Sequence, residues 1–167
     1  MRSVQALVAT GAFVVAVGGV GLVDAPAAGA SPGAAVARGP ATVCVPVQAI
    51  GTGQDLGDGR TTATISVGRV VVGTTSATFT ITGGSGSTVT FSGPIVFANS
   101  LGTVTASVTG TLNVTTGDFV STSSMLTGTG AYTGVSGTLT FAGHEDLATG
   151  AFTETITGSL CLPRGGR

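Results

Sequence analysis

Beyond residue 41, apolar side chains recur at every second position, and no window there carries the stripe of an amphipathic helix. A chain patterned this way hides its apolar face by laying pleated strands edge to edge, with alternate side chains on opposite faces. Val43, Val45, Val47 and Ala49 share one face of a first run. Pro46 lies on its other face and has no N–H, so this run is expected to be bulged or unpaired there. Ala63, Ile65 and Val67 alternate in a second run, and Arg69 and Val71 keep their parity. Ala77, Phe79 and Ile81 mark a third, and Val89 and Phe91 open a fourth that continues past Gly93-Pro94 to Ile95 and Phe97. Val104, Ala106, Val108 and Leu112 define a fifth, and a less regular sixth spans Asp118 to Met125. Val135, Leu139 and Phe141 define a seventh, and Phe152, Ile156, Leu160 and Leu162 an eighth. The alternate positions are mostly threonine and serine, which suit strands and tolerate water.

Turn signals separate most of these runs: Asp55-Leu56-Gly57-Asp58-Gly59, Gly83-Gly84-Ser85-Gly86, Asn99-Ser100-Leu101-Gly102 and Thr115-Thr116-Gly117-Asp118. An open sheet of such strands would leave two edges and an uncovered apolar face, with no helix to cover it. Closure removes the edges and encloses the apolar face. The expected fold is all-β, an eight-stranded antiparallel up-and-down β-barrel. A two-sheet sandwich is the competing architecture, and the short links favour the barrel.

The first forty residues have another character. Met1-Arg2 starts an uncharged apolar run to Val23, and Ala28 and Ala30 occupy the small-residue positions before a signal-peptidase cut. Residues 1–30 are read as a secretory signal, with a retained membrane anchor as the alternative. Residues 31–41 are a flexible mature N-terminus, 42–163 the barrel domain and 164–167 a tail. The protein is expected to be secreted, with no stable membrane insertion after cleavage. The chain has 6 arginines, no lysine and 7 acids, so it lacks the basic patch of a nucleic-acid binder. With no tryptophan and 1 tyrosine it offers no stacking platform.

The 2 cysteines, Cys44 and Cys161, lie near the two ends of the folded part. In an exported chain an even count reads first as a disulfide. By parity both fall on the threonine-rich face, so pairing of the first and last strands would bring them together.

The segment Gly128-Thr129-Gly130-Ala131-Tyr132-Thr133-Gly134-Val135-Ser136-Gly137 resembles the Gly-Gly-Thr-Gly-x-Phe/Tyr-x-x-Ala-x-Gly signature of the allene oxide cyclase and dirigent barrel superfamily, with Thr127 at the first glycine and Val135 at the alanine. The hairpin at Thr116-Gly117, Phe141-Ala142-Gly143 and the stretch from Gly150 to Gly158 also fit. The resemblance implies an eight-stranded barrel, a dimer or trimer, and a lumen that binds or rearranges small apolar molecules.

Glu154 shares the apolar face with Phe152 and Ile156. A carboxyl there has a raised pKa and suits general acid–base work, unless it reaches water at an open strand end. Arg69, by its parity, is a candidate to enter the lumen and pair with Glu154, or else to snorkel to the rim. Tyr132 is a candidate to cap one end and offer its hydroxyl to a cavity, or simply to pack. His144, Glu145 and Asp146 read as a solvated hairpin tip, and Asp55, Asp58 and Asp118 as turn residues. No cofactor or metal is implied. Three functions remain open: a barrel binding a small apolar ligand, an isomerase or cyclase using Glu154, Arg69 and Tyr132, and a structural or surface-interaction protein with a filled core.

Overall fold

The computed structural model describes residues 41–164. The signal assigned to residues 1–30, the mature N-terminus through residue 40 and residues 165–167 of the tail lie outside the described residues. Nine strand segments follow in chain order: β1 (Thr42–Asp55), β2 (Arg60–Val67), β3 (Val70–Thr78), β4 (Thr80–Ser85), β5 (Thr88–Asn99), β6 (Gly102–Asn113), β7 (Asp118–Gly128), β8 (Ser136–Glu145) and β9 (Ala151–Pro163). A single 3-10 turn, Gly130–Tyr132, lies between β7 and β8.

The segments form one antiparallel sheet in the order β3-β2-β1-β9-β8-β7-β6-β5-β4, and β3 pairs with β5 as well. That last pairing closes the sheet. β3 and β4 act as one stave, because Ala77 faces Ile95 and Thr80 faces Ser92, which keeps a single register against β5. The break between them falls opposite Gly93-Pro94, where proline has no N–H to donate. The result is the closed eight-stranded antiparallel barrel that the alternation predicts. Its inner face holds Ile65, Val104, Ala106, Val108, Leu139, Phe141 and Ile156, all buried, with Phe79, Phe97 and Phe152 packed against them. No helix among the described residues is long and apolar enough to cross a membrane.

The first and last strands, β1 and β9, are neighbours in the sheet and pair from Thr42↔Pro163 to Gln54↔Ala151. Cys44 and Cys161 are direct partners in that ladder and are joined by the expected disulfide. The ladder runs straight through Pro46↔Ser159, so there is no bulge at the proline. Its missing N–H falls on the other edge. The Arg164 N–H donates to the Ala41 carbonyl, which by alternation turns the backbone of even-numbered β1 residues away from β9. The β2 ladder reaches only Ile50, so Pro46 faces an edge that β2 does not cover.

The second run does not carry on through Arg69: Gly68, at φ +59°, and Arg69 make a two-residue turn, Val67 pairs with Val70, and β3 begins there. Positive φ at the first turn residue is the glycine position of a type II′ hairpin. Valines on both sides of the turn hide it within an unbroken β-like stretch. The irregular sixth run reflects a bulge in β7, where Val108 faces Ser123 but Ser107 faces Met125. The extra residue, Ser124, reverses the parity, so Leu126 is buried and Met125 is exposed.

Register also orders the hydroxyls. Thr80, Ser92, Thr109, Thr122, Thr140 and Thr157 are successive partners across β4, β5, β6, β7, β8 and β9, a belt on the outer face that no fixed spacing along the chain announces. Such cross-strand pairs contribute a few tenths of a kcal/mol each, about 0.2–1.

Candidate functional site

Large and small residues alternate across neighbouring strands inside the lumen. Phe152 lies opposite Gly53, Phe119 opposite Gly143, and Phe91 opposite Gly110. In each pair the ring fills the space a glycine side chain would need, so that a Cβ on the glycine would fall 2.5–2.7 Å from a ring carbon. This fits bulky rings into a narrow barrel. Phe79 and Phe91 pack with their centroids 5.0 Å apart, and Phe119 meets Phe152 edge-on at 6.1 Å.

The rings do not fill the lumen at this end. A cavity of about 150 Å3 remains, lined mainly by Ala77, Phe79, Phe91, Ile95, Phe119 and Phe152. Three carboxyl side chains also line it: Asp55 from the end of β1, Glu145 from the end of β8, and Glu154 from β9. None of Arg60, Arg69, Arg164 and His144 lines it.

Glu154 is the deepest of the three in burial, only 8% exposed. Its partners across the ladder are Gly51 on β1 and Gly143 on β8. Neither offers a side-chain donor or a charge. The Glu154 chain leans over Gly51, where a Cβ would stand 2.7 Å from its Cγ and Oε1. Burial alone pushes its pKa up to about 7, with no hydrogen bond or counter-charge acting on it. Among the described residues no fully enclosed side-chain oxygen lacks a partner, so the unbonded carboxyl oxygens of Glu154 open onto the cavity. Glu145 is half-buried, and burial followed by the charge of Asp55 raises its pKa as well. Asp55 is partly engaged, since the Gly57 N–H donates to its Oδ1 at 2.8 Å.

Of the three candidates from the sequence, only Glu154 lines the cavity. Arg69 sits exposed in the β2–β3 turn and does not approach Glu154, because Gly68 ends the strand before the lumen can receive it. Tyr132 belongs to the opposite end. It lies in the 3-10 turn, its ring meets Phe97 edge-on at 6.3 Å, and the Asn99 amide donates to its hydroxyl at 2.8 Å. Val135 follows it into the barrel and is buried. From the glycine-rich segment, Tyr132 and Val135 thus pack onto the core at this end. His144 is exposed, with its Nδ1 3.0 Å from Asp118 Oδ1. That hydrogen bond, with a second from Thr116, holds the Asp118 carboxyl below its ordinary range.

Asp55 and Glu145 line the lumen although the sequence presents them as a turn residue and a hairpin-tip residue. Each keeps inward parity, Glu145 with Leu139 and Phe141, and Asp55 with Ala49 through Gly51 and Gly53. The glycines interrupt the apolar signal on β1, so Asp55 reads as part of the turn. The chain matches no protein-family model, no curated protein and no solved structure.

Proposed function

We propose that this barrel is a secreted binding protein that takes a small, mainly apolar molecule into the end of its lumen carrying Glu154. The observation that carries this reading is the ring-lined cavity of about 150 Å3 at one end of the lumen. That is below the range of drug-sized pockets, roughly 300–1,000 Å3, and close to the size at which an apolar cavity takes benzene, about 150 Å3. The occupant is accordingly small. The disulfide supports an oxidising compartment and hence export. Kinship with the allene oxide cyclase and dirigent barrels is part of the proposal, supported by the eight-stave closure and the Gly128–Gly137 segment.

Benzene itself is the probe that tests it. In a carbon–proton correlation spectrum, added benzene should shift the resonances of Ala77, Ile95 and the four lining phenylalanines, and leave Val135 and Tyr132 unmoved. Ala77→Leu, which fills the cavity, should abolish the response. Unchanged lumen resonances at saturating benzene would overturn the reading.

One observation favours a second reading, an isomerase or cyclase. A carboxyl held near neutrality in an apolar site has the proton affinity that general acid–base work at neutral pH requires. In that reading Glu154 would move the proton without Arg69 or Tyr132, which lie away from the cavity.

A further inference from the structure

A neutral apolar ligand needs rings and space. The cavity contains something more, and it is all of one sign. Asp55, Glu145 and Glu154 line it, and no arginine or histidine of the described residues does. In a chain with only 7 acids this concentration is marked. Two of the three, Asp55 and Glu145, are close enough for the charge of one to raise the pKa of the other. Glu154 is more than nine-tenths buried, makes no hydrogen bond within the described residues, and opens onto the cavity. An unpartnered buried carboxyl costs stability, so a fold has no structural use for it. A neighbouring Ser, Asn or Arg would satisfy it, but glycine flanks it on both sides.

The acids do not form a metal site. No three metal-ligating side chains converge among the described residues. A divalent ion needs several oxygens at about 2.0–2.6 Å, and spread-out carboxyls around an apolar space cannot supply them. What they match is a cation whose charge is carried by one end of an apolar body.

We propose, resting on the lumen-binding reading above, that the natural occupant is a small apolar amine: its ammonium group sits against Glu154 and its hydrocarbon body lies among Phe79, Phe91, Phe119 and Phe152. Asp55 and Glu145 at the mouth draw the cation in and disfavour anions of the same shape. The ammonium supplies the donors and the positive charge that Gly51 and Gly143 withhold.

Three isosteric probes test this: benzylamine, protonated at neutral pH, benzyl alcohol, which is neutral, and benzoate, an anion. By calorimetry or spectral titration at pH 7.5, benzylamine should bind at least tenfold more tightly than benzyl alcohol, and benzoate more weakly than either. Glu154→Gln should remove at least tenfold from benzylamine affinity and leave benzyl alcohol unchanged. In the unaltered protein, saturating benzylamine should lower the midpoint of Glu154 carboxyl titration, followed by carbon NMR, so the idea can be tested even if the variant folds poorly. Equal binding of amine and alcohol, or an unmoved Glu154 midpoint, overturns the amine while leaving the benzene-binding lumen intact. Failure of benzene to enter overturns both.

Discussion

Tyr132 at one end of the lumen and Glu154 at the other both carry a polar group on the apolar face, and only Tyr132 has a partner. Asn99 donates to the Tyr132 hydroxyl, Phe97 meets its ring, and the 3-10 turn seats it through backbone bonds from Ala131 to Leu101 and from Thr129 to Thr103. The end that holds Glu154 has rings stacked on glycines, a remaining cavity, and a carboxyl without donors. A polar group whose needs are met inside the fold contributes to stability. One whose needs are unmet detracts from it and is available to something from outside. Under the proposed binding role, the difference between the two ends separates a polar residue that serves the fold from one that receives a ligand.

The largest expected effect breaks the comparison at its covalent clamp. Cys44 and Cys161 join β1 to β9 near the Tyr132 end, across a sequence separation of 117. Replacing both with alanine should lower unfolding stability by about 2–5 kcal/mol in denaturant, while the Glu154 titration midpoint stays where it was. A midpoint that moves with the disulfide would show the two ends to be one cooperative site.

Next in size is the pH dependence set by Glu154. Its ordinary pKa of 4.5 rises to about 7 in the fold. Below 4.5 the group is protonated whether the chain is folded or not. Between the two values the unfolded chain releases its proton while the folded chain retains it. Stability should therefore fall as pH rises through that window, by about 3 kcal/mol, and level off above it. Glu154→Gln should flatten most of this slope, leaving a smaller fall of the same sign from Glu145. Near pH 8 the variant should be more stable than the parent, and near pH 4 about equal to it. Thermal or denaturant unfolding across pH reads both, and a flat parent profile would remove Glu154 from its unpartnered state.

The smallest effect has the opposite sign. Tyr132→Phe deletes a satisfied hydroxyl and leaves the Asn99 Nδ2 with only its longer bond to the Val72 carbonyl, 3.3 Å. It should destabilise by about 1 kcal/mol, with no change in benzene or benzylamine binding. Taken together, removing oxygen at one end should cost stability, and neutralising it at the other should increase stability above pH 7.

Glu154 was visible in the sequence because Phe152 and Ile156 declare the parity of its strand. The other two acids were obscured. Gly51 and Gly53 occupy lumen positions of β1 without an apolar side chain, so the alternation fades before Asp55, although Glu154 and Phe152 cover those glycines from the neighbouring strand. Glu145 reads as a hairpin residue because β8 ends there. Arg69 takes the rim alternative, and its parity with Ile65 and Val67 misleads for a local reason, since a Gly-X turn between valines does not break the pattern. Tyr132 was placed at an end of the barrel, but its hydroxyl partner, Asn99, lies 33 residues away and leaves no local mark.

By itself the sequence determined which side chains avoid water and at what period, and hence strands, one enclosed face, closure and the cysteine pair. Those follow from alternation, a property of neighbours along a chain. The tertiary structure decided which strands lie side by side and in what register, and so which ring covers which glycine, which hydroxyls align into a belt, and which carboxyl has no donor. Those depend on distances between residues far apart in the chain, which a one-dimensional pattern does not contain.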